Sequence, residues 1–145
     1  MNPLPWEGHW YGWRLDQEAY GETWDSGMGS NLNGGRWNIP GRRVVYASVD
    51  PSSAILEVAA NHSFDALDSE PYVLTCFEVI SEAKVKIVQP EDVPNPYWLS
   101  PAKPSPNQQL FADALLAEHP FVLIPSAATR HSWNLLVSCE LAEGQ

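Results

Sequence analysis

Arg43-Val44-Val45-Tyr46-Ala47-Ser48-Val49-Asp50-Pro51-Ser52-Ser53-Ala54-Ile55-Leu56-Glu57-Val58 is the stretch on which the fold turns. Its first seven residues, Arg43–Val49, are rich in β-branched and aromatic side chains and predict a strand. Asp50 followed by proline then supplies two helix-start signals: a side chain able to cap free amides, and a ring whose fixed φ suits the first helical position. The helix is expected from about Pro51 to Asn61, with Ile55, Val58, Ala59 and His62 facing inward and Glu57 beside that stripe. A strand that feeds straight into an amphipathic helix predicts a mixed domain in which helices pack on a sheet.

Working outward, Tyr72 to Ile80 and Lys84 to Gln89 read as two further strands. The segment from Pro90 to Pro106 holds six of the thirteen prolines and reads as a loop. Ser105-Pro106-Asn107-Gln108 has the form of a capping box, and Leu110, Phe111, Ala114 and Leu115 give the helix behind it an apolar face that ends at His119-Pro120. Phe121 to Ile124 and Trp133 to Leu141 are the closing strands, the latter with Trp133, Leu135, Val137, Cys139 and Leu141 on one inward face. Upstream, the first forty residues carry five of the seven tryptophans and read as an ordered, aromatic-lined loop region, a place where function concentrates. The whole chain, 1–145, is expected to form one α+β domain with two main helices on a mainly antiparallel sheet.

Composition narrows the function. The 145 residues are 44% hydrophobic and 18% charged, which is globular rather than disordered. A net charge of −10 speaks against a surface that tracks a nucleic-acid backbone through many phosphate contacts. The longest aliphatic runs, such as Phe121-Val122-Leu123-Ile124, fall far short of the roughly 20 residues a membrane helix needs. Met1 to Trp6 lack the basic and apolar regions of a secretory signal, so a cytoplasmic location is expected. Cys76 and Cys139 stand far apart and read as buried small hydrophobes rather than a disulfide.

Four of the five arginines, Arg14, Arg36, Arg42 and Arg43, lie in the first third of this acidic chain. In Asn33-Gly34-Gly35-Arg36-Trp37-Asn38, guanidinium forks next to glycine backbone suit a phosphate, and Trp37 is placed to stack a flat ring; a turn with an arginine paired to a carboxylate fits the same residues. Glu57, beside an apolar helix face, needs solvent, a cation or a catalytic task. Tyr46 by itself reads as a core aromatic and Ser126 as a turn residue. His9, His62, His119 and His131 are isolated and in no metal-ligand spacing, so no metal site is expected. Neither Gly-x-Ser-x-Gly nor a phosphate-binding P-loop is present.

Gly34-Gly35-Arg36-Trp37-Asn38, Val45-Tyr46-Ala47-Ser48, Ala54-Ile55-Leu56-Glu57, Ile124-Pro125-Ser126 and Trp133-Asn134-Leu135-Leu136-Val137, in this order, resemble the RES domain family, named for its Arg, Glu and Ser. The resemblance spans about Trp13 to Val137. It implies the toxin half of a bacterial toxin–antitoxin pair, a fold similar to the ADP-ribosyltransferases, and an activity that depletes NAD as substrate with no cofactor. The family's arginine, tyrosine, glutamate and serine fall on Arg36, Tyr46, Glu57 and Ser126, and Arg14 matches a further pocket arginine. On that footing Glu57 stabilises positive charge on the ribose, Arg36 and Arg14 hold the pyrophosphate or adjacent ribose, Tyr46 packs on or orients the nicotinamide end and Ser126 hydrogen-bonds the dinucleotide. The implied partner is an Xre-type helix-turn-helix antitoxin covering the pocket in a hetero-oligomer. Where many members continue with Asn-Pro and a histidine, this chain has Ser138-Cys139-Glu140.

The acceptor of the ADP-ribose stays open at this level: water gives a glycohydrolase, inorganic phosphate a phosphorylase and a protein side chain an ADP-ribosyltransferase. A non-catalytic module that binds a nucleotide or pairs with a regulator is the alternative of a different class. An RNase-type toxin is disfavoured by the acidic balance and the lack of a paired-histidine site.

Overall fold

The strand expected at Arg43–Val49 runs over Val44–Ser48 (β2) and feeds a helix over Pro51–His62 (α2). The computed structural model describes residues 10–62, 64–79, 84–100, 104–127 and 132–142. The expected positions of His9, Ile80 and His131, and the side chain of His62, lie outside what it describes.

The tryptophan-rich region before β2 is not a loop throughout. Trp10–Gln17 forms an eight-residue strand (β1), followed by a 3₁₀ helix over Glu18–Thr23 and a short helix over Met28–Asn33 (α1). Glycine, arginine and aspartate at positions 12, 14 and 16 mask the strand signal of Trp10, Tyr11, Trp13 and Leu15. Tertiary pairing overrides local propensity, because β1 hydrogen-bonds along its full length to Tyr72–Val79 (β3). A short helix over Phe64–Ser69 (α3) connects α2 to that strand. Next come Val85–Ile87 (β4), two 3₁₀ turns at Pro90–Asp92 and Pro96–Leu99 inside the expected proline loop, and a helix over Pro106–Leu116 (α4). Phe121–Pro125 (β5) and Trp133–Ser138 (β6) close the sheet, and Cys139–Ala142 turns into a last short helix (α5) instead of extending the strand.

The six strands lie in the order β3-β1-β2-β6-β5-β4, antiparallel throughout except for the β4–β5 pair. This is the expected α+β architecture, with α2 and α4 its two longest helices among the described residues. Alternation along β5 and β6 fills two cores. Val122, Ile124 and Leu136 join Trp37, Val44 and the Ala112 and Leu116 of α4 on one side. Phe121, Leu123, Trp133 and Leu135 join Trp10, Ala47 and Val79 on the other. The last strand is therefore buried on both faces, not only on the Trp133–Leu135 side, as befits a strand covered above and below.

Both long helices sit in a different phase from that expected. In α2, Ser53, Ala54 and Ala59 are buried whereas Ile55 is 37% and Leu56 41% exposed, because small residues let the helix lie close against the sheet. In α4, Gln108, Ala112 and Leu116 point inward, Phe111 and Leu115 are half-buried, and Leu110 and Ala114 are exposed. Ser105 caps α4 by accepting from the Gln108 amide at 3.2 Å, but the Gln108 side chain turns inward to donate to the Trp98 carbonyl at 3.1 Å. The capping box is thus only half used, and the glutamine phases the helix. Cys139 is buried as expected, whereas Cys76 is exposed, because β3 is an edge strand with open faces.

The cap of α2 ties the helix to the loop after β5. Asp50 accepts from the Ser53 amide at 2.9 Å and hydroxyl at 2.7 Å, and from the Ser132 hydroxyl at 2.9 Å. Burial would raise the Asp50 carboxyl, but these three hydrogen bonds outweigh it and hold it below the ordinary value of 3.8. Asp50→Ala is expected to lower stability by about 1–2 kcal/mol, read as a shift in the urea midpoint. Because the folded carboxyl binds its proton less tightly than the unfolded one, this contribution is complete above the ordinary carboxylate value and lost as pH falls through the folded one. The gap between wild type and variant should therefore narrow below pH 4 or so; a gap that is constant down to acid unfolding would contradict the capping role.

Candidate functional site

A cleft of about 700 Å³ opens on the sheet, within the size range of small-molecule sites. Its walls come from β1 (Trp13–Gln17), the Tyr46–Ser48 end of β2, Asn134 of β6, the Ala54, Glu57 and Val58 of α2, and the Gly34–Arg36 turn after α1. Arg14, Arg36, Tyr46 and Glu57, separated by up to 43 positions in the chain, line this one space.

The Gly34–Asn38 turn is built around Tyr46. The Trp37 amide donates to the Tyr46 hydroxyl at 2.9 Å, and that hydroxyl donates to Asn38 Oδ1 at 2.7 Å. Asn38 is fully buried and donates onward to the Ser30 and Ile39 carbonyls at 3.2 and 2.9 Å. Gly34 has φ +74°, a left-handed conformation that favours glycine where α1 ends. Gly35 is required for space, since a Cβ there would lie 2.6 Å from the Tyr46 hydroxyl oxygen. The rim is tied across the cleft: Gln109 donates to the Gly35 carbonyl at 2.8 Å and Arg36 to the Ser100 carbonyl at 3.3 Å.

Electrostatics separate the roles. Burial lowers the Arg36 pKa from its ordinary value, opposed by the nearby Glu57 carboxylate and Tyr46 phenol, and the group stays cationic at any working pH. Burial pushes the Tyr46 hydroxyl up, opposed by the Trp37 amide and the Arg36 charge, so it remains a protonated donor and not a base. Ser126, 7% exposed at the end of β5, donates to Glu57 Oε1 at 2.8 Å and fixes that carboxylate.

Two expected assignments change in position, and a third, Arg14, is in place but already paired. Trp37 is fully buried in the core beside α4 and does not line the cleft, so it presents no face for stacking a ligand. Burial of so large an apolar ring is worth more than its exposure in a polar turn. Ser126 is not in the cleft wall either; it stands behind Glu57 and touches the site through that carboxylate. Arg14 is in the wall, but all three of its guanidinium nitrogens already donate within the protein. Nε and Nη2 bond Asp16 at distances of 2.9–3.2 Å, and Nη1 bonds the Tyr46 carbonyl at 3.1 Å. Arg42 is held by Asp113 at 3.0 Å and serves the packing of α4. Among the described residues no cluster of His, Cys, Asp or Glu could hold a metal ion, and no helix is long and apolar enough to cross a membrane.

Sequence reasoning missed Asp16 and Asn134. Two-residue alternation puts Asp16 on the same face as Arg14, a pairing visible once Trp10–Gln17 is read as a strand. For Asn134 the signal was a lone carboxamide inside an apolar strand.

Comparison with known proteins identifies the family and the fold. The family model of the RES domain matches residues 12–143. A protein named Toxin Res from Photorhabdus laumondii subsp. laumondii is 28% identical over 131 residues, covering 87% of this chain and 80% of its own. A second Toxin Res, from Yersinia enterocolitica, is 30% identical over 117 residues, covering 80% of this chain and 74% of its own. A chain in the crystal structure of the M. tuberculosis MbcT–MbcA toxin–antitoxin complex superposes with a TM-score of 0.66 at 21% identity, over 95% of this chain and 78% of that one. The fold is that of an RES domain. The chain belongs to the RES domain family.

The Tyr46–Gly35 contact makes a coupled prediction. Tyr46→Phe should destabilise by about 1–3 kcal/mol by leaving the buried Trp37 amide and Asn38 carbonyl oxygen without their partner. Gly35→Ala should also destabilise, but by less in the Tyr46→Phe background, where the oxygen it strikes is gone. Additive losses in a denaturant double-mutant cycle would show that the hydroxyl does not set the turn.

Proposed function

We propose that this chain is the toxin of a toxin–antitoxin pair and acts by breaking the bond between nicotinamide and ribose in NAD. What carries the proposal is the presence, in one cleft of an RES-domain chain, of a half-buried cation, Arg36, and a carboxylate, Glu57, held by Ser126 at 2.8 Å. A dinucleotide presents those two groups with what they need: a pyrophosphate for the guanidinium, and a sugar that gains positive charge as its bond to the ring breaks.

Glu57 faces the ribose and stabilises the oxocarbenium-like transition state without acting as a nucleophile. Arg36 holds the pyrophosphate. Arg14, whose charge Asp16 already offsets, shapes the adjacent wall and offers a ligand only its remaining N–H groups. Tyr46 presents its ring to the nicotinamide end while its hydroxyl stays committed to the turn. In the reaction the C1′–N bond breaks, its electron pair leaves on the nicotinamide nitrogen, and an oxygen of water or of inorganic phosphate takes its place on C1′. The products are nicotinamide and either ADP-ribose or its 1-phosphate, and no cofactor enters.

Such an activity must be restrained in its host. The proposed partner is an Xre-type helix-turn-helix antitoxin that covers the cleft mouth in a hetero-oligomer in the cytoplasm. A chain of net charge −10 leaves DNA recognition to that partner. The likeness to chains named as toxins, one of them solved with its antitoxin, supports this pairing.

The test is incubation of the purified chain with NAD, with and without phosphate, and chromatography for nicotinamide and the sugar nucleotide. Nicotinamide release is expected from the wild type and its abolition in Glu57→Gln, with phosphate dependence separating phosphorolysis from hydrolysis. Arg36→Ala should lower kcat/KM about 10- to 150-fold, the equivalent of one charged hydrogen bond lost in the transition state. Ser126→Ala should lower kcat more than it raises KM, since it releases Glu57 and not the substrate. Intact NAD with a folded protein would turn the assignment toward modification of a protein or a binding module.

A further inference from the structure

Asn134 is fixed from both sides by the sheet, in register with Ser48 of β2 and Ile124 of β5. It is only 6% exposed, yet it lines the cleft, and its Oδ1 accepts no hydrogen bond among the described residues. Trp37 Nε1 and Ser138 Oγ also lack a partner among the described residues, but neither of those residues lines the cleft. A buried amide oxygen without a partner costs stability, so its place in the wall of a ligand-sized cleft points to a ligand that completes it when the amide turns that oxygen toward the cleft.

The chemistry of the group narrows that ligand. A carboxamide offers an acceptor and two donors, is uncharged, and can exchange oxygen and nitrogen by flipping. It suits a neutral group that both donates and accepts, rather than a phosphate. Ser48, its register partner, and Ala54 also line the cleft, small side chains that leave room for a flat ring, with Glu57 on the same helix as Ala54. Resting on the proposed NAD reading, the ring next to the bond that Glu57 serves is the nicotinamide, and it bears a primary carboxamide. We infer that Asn134 recognises the nicotinamide carboxamide and makes the site specific for NAD over its nicotinic acid counterpart. In that counterpart a carboxylate replaces the carboxamide and loses both donors, leaving the Asn134 oxygen without a partner.

The experiment is calorimetric titration of the Glu57→Gln protein, in which NAD is expected to stay intact, and of the same protein carrying Asn134→Leu or Asn134→Ala. The probes are NAD, nicotinic acid adenine dinucleotide and ADP-ribose, which lacks the ring. The parent should prefer NAD over the nicotinic acid form by at least about tenfold, and both variants should lose that preference while binding ADP-ribose within about twofold of the parent. Asn134→Leu keeps the branched shape and replaces both polar atoms by methyl groups at the cleft wall, so its Tm should equal or exceed the parent's. A parent without preference, or variants that weaken ADP-ribose as much as NAD, would overturn the inference and assign Asn134 to ribose or adenine. A clear fall in Tm for Asn134→Leu would overturn it by showing that the carboxamide serves the fold. Binding of none of the three nucleotides by the parent would overturn the NAD proposal itself, a result distinct from the others.

Discussion

The hydroxyl of Tyr46 joins the two halves of the site. It is held on a central strand, accepts from the Trp37 amide and donates to Asn38, so the glycine turn that carries Arg36 is fixed to the middle of the sheet. Burial keeps the proton on this oxygen, and Asn38 spreads the constraint to the carbonyls of α1 and of the loop that follows. Gly35 has no side chain because the oxygen occupies that space. Trp37, next in sequence, fills the core beneath α4. A polar contact and an apolar anchor thus act on neighbouring residues, and Arg36 between them emerges into the cleft.

A second constraint orients the carboxylate. β5 and β6 pair along their length, and the loop between them returns Ser126 and Ser132 to α2. Ser132 bonds the cap at Asp50, and Ser126 bonds Glu57 two turns along the same helix. One connection therefore sets both the start of the helix and the direction of its functional side chain. A single hydroxyl–carboxylate hydrogen bond stabilises little, but a hydroxyl held at the edge of a buried strand has few other orientations, which holds the carboxylate in place.

Charge is divided between the two arginines. Arg14 spends its fork on Asp16 and on the Tyr46 carbonyl, which staples β1 to β2 where the structure registers only the Trp13–Ser48 pair between them. Arg36 is opposed by Glu57 across the cleft instead, so positive and negative groups face a shared space that a dinucleotide with an anionic middle and a developing cationic sugar would complement.

Much of the site was legible without coordinates. Arg36, Tyr46 and Glu57 were selected from motif order, and all three line the cleft. The strand–helix unit at Val44–His62 and the cap at Asp50 follow from local rules, since β-branched runs, N-cap residues and proline act within a few positions of themselves. β1 was hidden, because its ladder with β3 lies some sixty residues away and glycine and charged residues interrupt its pattern. The helix phases were hidden too: Ile55 and Leu56 look like core by type, but the small Ser53 and Ala54 lie against the sheet. The sequence alone determined the strand–helix unit at Val44–His62, the helix at Pro106–Leu116 and which side chains carry charge, since these depend on side-chain chemistry and short-range backbone preference. Only the tertiary structure decided that Trp37 faces the core, that Ser126 bonds Glu57, that Arg14 is paired with Asp16 and that the Asn134 oxygen has no partner among the described residues. Those outcomes are set by which surfaces a folded sheet brings together, and that is a property of long-range packing.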